Sequence, residues 1–173
     1  CMPEWEHFVR IEAKKGGIDK LSGVIPAGES SFLSATNGID YLSKTIKEPD
    51  AIVLVHDGVR PLITQDIISR NIAVCLTHGN AITALQSHEA YLVTPDGYAA
   101  DGFRPREGLM RAQTPHTFPL STLTRMIKLA GEQDIKEFSL WLANWVLCRC
   151  ILLKATCEIS RLPSSRTFLS IVP

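Results

Sequence analysis

The stretch Ala51-Ile-Val-Leu-Val-His-Asp-Gly-Val-Arg-Pro61 decides the fold, because a continuous apolar run ends abruptly in an acid, a glycine, a base and a proline. An apolar run rich in valine and isoleucine predicts a central parallel strand covered on both faces by helices. In open α/β sheets ligands bind beyond the carboxyl ends of the strands. Asp57 and Arg60 therefore stand where a metal ion and an anionic substrate would sit, and Gly58 lets a ligand approach the backbone closely. A plainer reading of the same residues makes Asp57 a helix cap and Arg60 a surface side chain.

Outward from this strand, helical and strand patterns alternate. Upstream, residues 4 to 15 read as a short helix with Trp5, Phe8, Val9 and Ile11 on one face, closed by Gly16-Gly17. Lys20 to Ile25 reads as a brief strand, followed by the turn Pro26-Ala-Gly-Glu-Ser-Ser. Leu33, Ala35, Ile39, Leu42 and Ile46 then recur at helical spacing. Downstream, a helix from about Thr64 to His78 carries Ile67, Ile68, Ile72 and Leu76 and stops at Gly79-Asn80, and Ala81 to Leu85 reads as another strand. Residues 112 to 118 read as a proline-stiffened loop, and Leu120 to Ala130 as a helix with Leu123, Ile127 and Ala130 inside. This alternation predicts βαβ units and a mostly parallel sheet. Residues 89 to 106 differ: Tyr91, Val93, Tyr98 and Phe103 flank a Thr94-Pro-Asp-Gly97 turn, which predicts a hairpin. Such a hairpin either folds back on its own domain or protrudes and meets a partner.

Composition narrows the class. The 173 residues, 45% hydrophobic and 21% charged, suit one soluble globular domain. Eighteen basic residues balance eighteen acidic ones, so the electrostatic footprint of a nucleic-acid binder is missing. Five cysteines without paired spacing favour neither a zinc site nor a disulfide framework, and a reducing cytoplasm fits best. The opening residues do not resemble a signal peptide. The apolar stretch 138 to 153 contains Asn144 and Arg149 and is too short for a membrane span.

Taken singly, the remaining motifs are weak; the Gly-Glu-Ser-Ser turn could bind an anion or simply cap a helix. In order they become specific. Gly28-Glu-Ser-Ser-Phe-Leu-Ser-Ala-Thr-Asn-Gly38, then His56-Asp-Gly-Val-Arg-Pro61, then Arg106-Glu-Gly-Leu-Met-Arg-Ala-Gln-Thr-Pro115 resemble the cytidylyltransferases acting on polyol phosphates. That family includes the 2-C-methyl-D-erythritol 4-phosphate enzymes of isoprenoid biosynthesis and the ribitol-5-phosphate enzymes of cell-surface polymer synthesis. The resemblance spans roughly residues 3 to 137.

The resemblance implies a Rossmann-like nucleotidyltransferase fold, incomplete here, and transfer of CMP from CTP to a polyol phosphate with release of pyrophosphate. As the commoner member, the methylerythritol phosphate enzyme is the first expectation, with the ribitol phosphate enzyme as alternative. It implies that Gly28, Glu29 and Ser34 hold the nucleotide together with Asp57 and Gly58, that Asp57 binds Mg2+, and that Asp57 and Arg60 are catalytic. Arg60, Arg106 and Thr114 fall in the substrate-binding set. The hairpin, about residues 88 to 106, corresponds to a dimerisation arm, so a homodimer is expected.

Departures also matter. The family's Gly-rich loop, with its arginine and lysine, has no counterpart here, so residues 1 to 138 are expected to be a partial domain, truncated at the N-terminus. Ser31 replaces a family arginine, and Ser87-His88 replaces an Asp-Thr pair. Such a chain is expected to have little or no activity, and a non-catalytic remnant keeping only the arm is the alternative. Residues 139 to 173 lack the family's lysine-bearing segment. Read one frame across, Lys154-Ala-Thr-Cys-Glu-Ile-Ser-Arg-Leu-Pro163 can decode as Glu-Gly-Asp-Met-Arg-Asn-Phe-Lys-Ile-Thr, so this anomalous tail is expected to be a frameshift product beginning near Ser139. Sequencing the coding DNA checks this: the shifted frame should encode the lysine motif, and a string unable to do so sinks the idea.

Overall fold

The computed structural model describes residues 1–132 and 151–155. A 3-10 turn, Pro3–Trp5, leads into α1 (Glu6–Lys15), followed by α2 (Ser31–Thr45), β1 (Ile52–Val55), α3 (Gln65–His78) and β2 (Ala81–Gln86). Then come β3 (Tyr91–Val93), β4 (Gly102–Arg104), β5 (Met110–Pro119), α4 (Leu120–Glu132) and β6 (Leu152–Lys154).

The helix boundaries follow from local chemistry. The Ser30 hydroxyl accepts the Leu33 amide at 3.2 Å and starts α2, and Thr64 accepts the Ile67 amide in the same way to start α3. Gly79 ends α3 with φ of +85°, its amide returning to the Cys75 carbonyl at 2.7 Å. Asp57 is therefore no helix cap. The predicted faces shift by about one residue: α3 buries Ile67, Asn71 and Cys75 while Leu76 is exposed, and α2 buries Phe32, Ala35, Gly38, Ile39 and Leu42 while Leu33 is exposed.

Four strands form one sheet in the order β1-β5-β2-β6. β5 runs antiparallel to both β1 and β2, and β6 runs parallel to β2. Thus β1, β2 and β6 point the same way, as the strand and helix alternation predicts, with one strand inserted against them. That strand contains the segment expected to be a loop. Residues 112 to 118 lie within β5 and are mostly buried, and the proline is accommodated because the ladder is broken there. Ile82 pairs with His116 and Ala84 with Ala112, so Gln113, Thr114 and Pro115 together oppose the single residue Thr83. Proline is tolerated in a sheet at such bulges, where no ladder donor is required of it. The Thr114–Pro115 peptide is cis.

Among the described residues β1 occupies a sheet edge rather than the centre, although Val53, Leu54 and Val55 are at most 3% exposed. The expected strand at Lys20–Ile25 does not form: Lys20 lies in a turn and residues 21–25 join no sheet ladder among the described residues. The segment is held instead by the N-terminal ammonium, which donates to the Ile25 carbonyl, and by the Ala27 amide, which donates to Cys1. The α1 face predicted to be apolar is not buried among the described residues: Trp5 and Phe8 pack edge-to-face on each other and stay about half exposed.

The core joins Val53, Val55, Ile82 and Phe118 of the sheet to Phe32, Ile39 and Leu42 of α2 and Leu120, Leu123 and Ala130 of α4. α3 contacts β2 and β5. The predicted hairpin forms, with Leu92 opposite Phe103. Residues 88 to 108 are all exposed, so it does not fold back on its own domain. At its tip Asp96 Oδ1 accepts the Tyr98 and Ala99 amides at 2.9 and 3.0 Å and the Thr94 hydroxyl at 3.1 Å. The tail reading falls mainly on residues 139–150 and 156–173, outside the described residues, as do Trp141, Trp145, Cys148, Cys150 and Cys157. Among the described residues no helix is long and apolar enough to cross a membrane.

Leu123 is completely buried between α4 and the sheet. Leu123→Ala should lower unfolding free energy by about 2–5 kcal/mol, read from the urea midpoint; a change below 1 kcal/mol (about the cost of Ile→Val) would contradict the packing described.

Candidate active site

The end of β1 is built by backbone geometry before side chains. After Val55 the chain turns, and the Arg60 amide donates to the Asp57 carbonyl at 3.0 Å. That turn brings Arg60 Nε to 3.3 Å from Asp57 Oδ2, with the two side chains only 12% and 23% exposed. Arg60 is not the surface side chain of the plainer reading. The turn is closed from below by His56, whose Nε2 lies 2.9 Å from the Arg60 carbonyl. From the side, the Asp57 amide donates to Thr114 Oγ1 at 3.0 Å. Asp57 and Arg60, three residues apart, and the sequence-distant Thr114 therefore form one bonded unit.

Two histidines were not anticipated at this unit. His56 and His116 are both buried and sense the charges of Asp57 and Arg60. Burial pushes His56 below the ordinary imidazole range and pushes His116 down to about 4, so both are neutral at pH 7. His56 must then donate through Nε2 to the Arg60 carbonyl. Its position beside Asp57 at the end of an apolar run was the available signal, whereas His116 was obscured by the loop assignment.

The glycine turn forms a second unit. The Gly28 amide donates to Ser34 Oγ at 3.0 Å, and that hydroxyl donates to the Ser30 carbonyl at 2.9 Å. A Cβ on Gly28 would lie 2.4 Å from Leu33 Cβ and 2.7 Å from its carbonyl carbon, so glycine is required by the close approach of the loop to α2. Ser34 thus fastens the loop at the start of α2, and Glu29 is exposed beside it. Arg106 lies apart on the return of the arm, exposed, with Nε 3.5 Å from Glu107. The Ser87 hydroxyl donates to the Glu89 carbonyl, closing a local turn, and His88 is exposed.

The Asp57 carboxylate also fits a nucleotide-borne metal. Among the described residues no three His, Cys, Asp or Glu side chains converge. Mg2+ characteristically takes one or two carboxylates and fills its remaining positions with phosphate and water. A single, partly exposed carboxylate on a fixed turn supplies that much.

The family described as "IspD: 2-C-methyl-D-erythritol 4-phosphate cytidylyltransferase" matches residues 15–138. The chain belongs to this IspD family. The ribitol-5-phosphate cytidylyltransferase of Vibrio parahaemolyticus is 32% identical over 137 residues, covering 79% of this chain and 57% of that protein. The 2-C-methyl-D-erythritol 4-phosphate cytidylyltransferase of Geotalea uraniireducens is 30% identical over 128 residues, covering 74% and 52%. The chain thus spans little more than half the length of these IspD-family relatives. Among solved structures, the 4-diphosphocytidyl-2C-methyl-D-erythritol synthase of Anaerococcus prevotii superposes with a TM-score of 0.78 at 18% identity, covering 95% of this chain and 71% of that one. The fold is that of the IspD nucleotidyltransferases.

The neutral histidines give stability a pH dependence. An unfolded histidine titrates near 6.5 and folded His116 near 4, so the unfolded chain binds more protons between these values. The contribution of His116 is fully present above pH 6.5 and is lost as pH falls toward 4. Urea unfolding should therefore show stability rising from pH 4 to 6.5, by up to about 3 kcal/mol from this group, and His116→Gln should flatten the rise; an unchanged slope in that variant would refute the assignment.

Proposed function

We propose that this chain serves cytidylyl transfer from CTP to a polyol phosphate, with release of pyrophosphate. The observation that carries the reading is the Asp57–Arg60 pair, held at the tip of β1 by the Thr114 hydroxyl on the Asp57 amide. In the reaction an oxygen of the polyol phosphate attacks the α-phosphorus of CTP. A new O–P bond forms, the bond to the bridging oxygen breaks, and pyrophosphate departs with that electron pair. Arg60 offers a planar guanidinium that can grip an anion through two hydrogen bonds, and its low exposure strengthens that grip. Asp57 would hold Mg2+, which would supply neutralisation of charge on the nucleotide phosphates. The Gly28, Glu29 and Ser34 loop and Gly58 receive the nucleotide. Their part is positioning, since phosphoryl transfer rests mainly on orientation and charge stabilisation.

Arg106 contributes from the arm. With Tyr91, Leu92, Tyr98 and Phe103 all exposed, the arm carries apolar surface of the kind that marks an interface. We assign it to a homodimer in which each arm completes the partner's polyol phosphate site. We place the chain in a reducing, cytoplasmic setting, the one that suits five cysteines without a CxxC pair.

The polyol is first assigned as 2-C-methyl-D-erythritol 4-phosphate, in line with the family description. Ribitol 5-phosphate is the second reading, favoured by the names of the relatives from Vibrio parahaemolyticus and Lacticaseibacillus paracasei, which are 32% and 30% identical. Calorimetric titration separates these readings. The chain should bind CTP only with Mg2+, Asp57→Asn should weaken that binding at least about tenfold, and Arg60→Ala should weaken polyol phosphate binding comparably. Titrating the two polyol phosphates in parallel identifies the substrate. No magnesium-dependent CTP binding by the unaltered chain would leave the non-catalytic remnant as the better account.

A further inference from the structure

α3 carries one polar residue on its buried face. Asn71 is fully buried, between Ile67 and Cys75, where the helix packs on β2 and β5. A buried carboxamide without partners would be costly, so its bonds show what it is for. Asn71 Nδ2 donates to the Ile67 carbonyl at 2.9 Å and to Thr83 Oγ1 at 2.9 Å. The Thr83 hydroxyl donates in turn to the Pro115 carbonyl at 2.9 Å, and the Thr117 hydroxyl donates to Asn71 Oδ1 at 3.4 Å. Thr83 and Thr117 are completely buried as well.

These contacts fall on the bulge. Thr83 is the one β2 residue opposite Gln113, Thr114 and Pro115, and its side chain replaces the ladder bonding that the bulge removes. Asn71 reaches the C-terminal end of it twice: Pro115 through Thr83, and Thr117 directly. Bulges beside active sites commonly re-aim a side chain, and the residue aimed here is Thr114, whose hydroxyl accepts the Asp57 amide. We propose that Asn71 and Thr83 are positioning residues that fix the β5 bulge from beneath and thereby set the place of Thr114 and Asp57. The functional meaning of that placement rests on the cytidylyl-transfer reading above, because neither residue touches the proposed substrate.

Amide hydrogen exchange followed by NMR on the full chain tests this without requiring turnover. Thr83→Val keeps the shape and removes the hydroxyl. It should accelerate exchange of the Asp57 amide by about tenfold or more relative to the β1 amides, as expected for a buried hydrogen bond left without its support. Thr83→Ser, which restores the hydroxyl, should return the Asp57 amide toward the parent rate. Thr117→Val removes only the longest bond and should give the same selective effect at smaller size, which keeps the test available if Thr83→Val does not fold. A purely structural role predicts acceleration spread evenly over the β1 amides. Even acceleration, or an unchanged Asp57 rate in Thr83→Val and Thr117→Val, overturns the proposal. Calorimetry with magnesium and CTP runs alongside: failure of the parent chain to bind counts against the proposed function, and the exchange result still decides the positioning role.

Discussion

The antiparallel insertion of β5 between β1 and β2 is the constraint on which the rest of the molecule depends. It lets three buried residues of one strand stand opposite a single threonine of another. Regular pairing through this region would leave no room for the proline and would alternate Gln113, Thr114 and Pro115 between the two sheet faces. The break lies on the β2 side of β5, while on the β1 side the regular register, continued two residues past Val55 and His116, brings Thr114 opposite Asp57. The Asp57–Arg60 turn is thus held by β5 as much as by the strand that leads into it.

Electrostatics follow from that placement. Asp57 and Arg60 are close enough to pair yet remain partly accessible, while the histidines beneath them are desolvated and neutral. Neutral imidazoles add a hydrogen bond to the turn without adding a cation that would compete with Arg60 for Asp57. A charged residue at His116 would have to be paired within the core, at considerable cost. The charge of the turn is confined to Asp57 and Arg60, and the imidazoles packed against them are uncharged.

Much of this was legible from residue patterns, and the failures have physical causes. The strand at 52 to 55, the start of α3 near Thr64, its stop at Gly79 and the Thr94-Pro-Asp-Gly97 hairpin rest on local chemistry and are legible as elements, although β1 lies at a sheet edge among the described residues and not at the centre. β5 was misread because Gln113-Thr-Pro115 carries loop chemistry, and only a non-local neighbour, Thr83, makes it sheet. Asn71 was passed over for the same reason: on a helix wheel it interrupts an apolar face, and its partners lie on two strands distant in sequence. Asp57 and Arg60 were found because a turn brings them together over three residues. Their bond to Thr114 needed the topology.

The tip of the arm illustrates a different economy. Asp96 gathers two backbone amides and a hydroxyl onto one oxygen, and these bonds hold its carboxyl below the usual range. The loop is shaped by its own atoms, not by anything it touches. Its conformational entropy has therefore already been surrendered in the isolated chain, and a surface meeting Tyr98 or Phe103 encounters a preorganised projection whose ordering adds little to the cost of association.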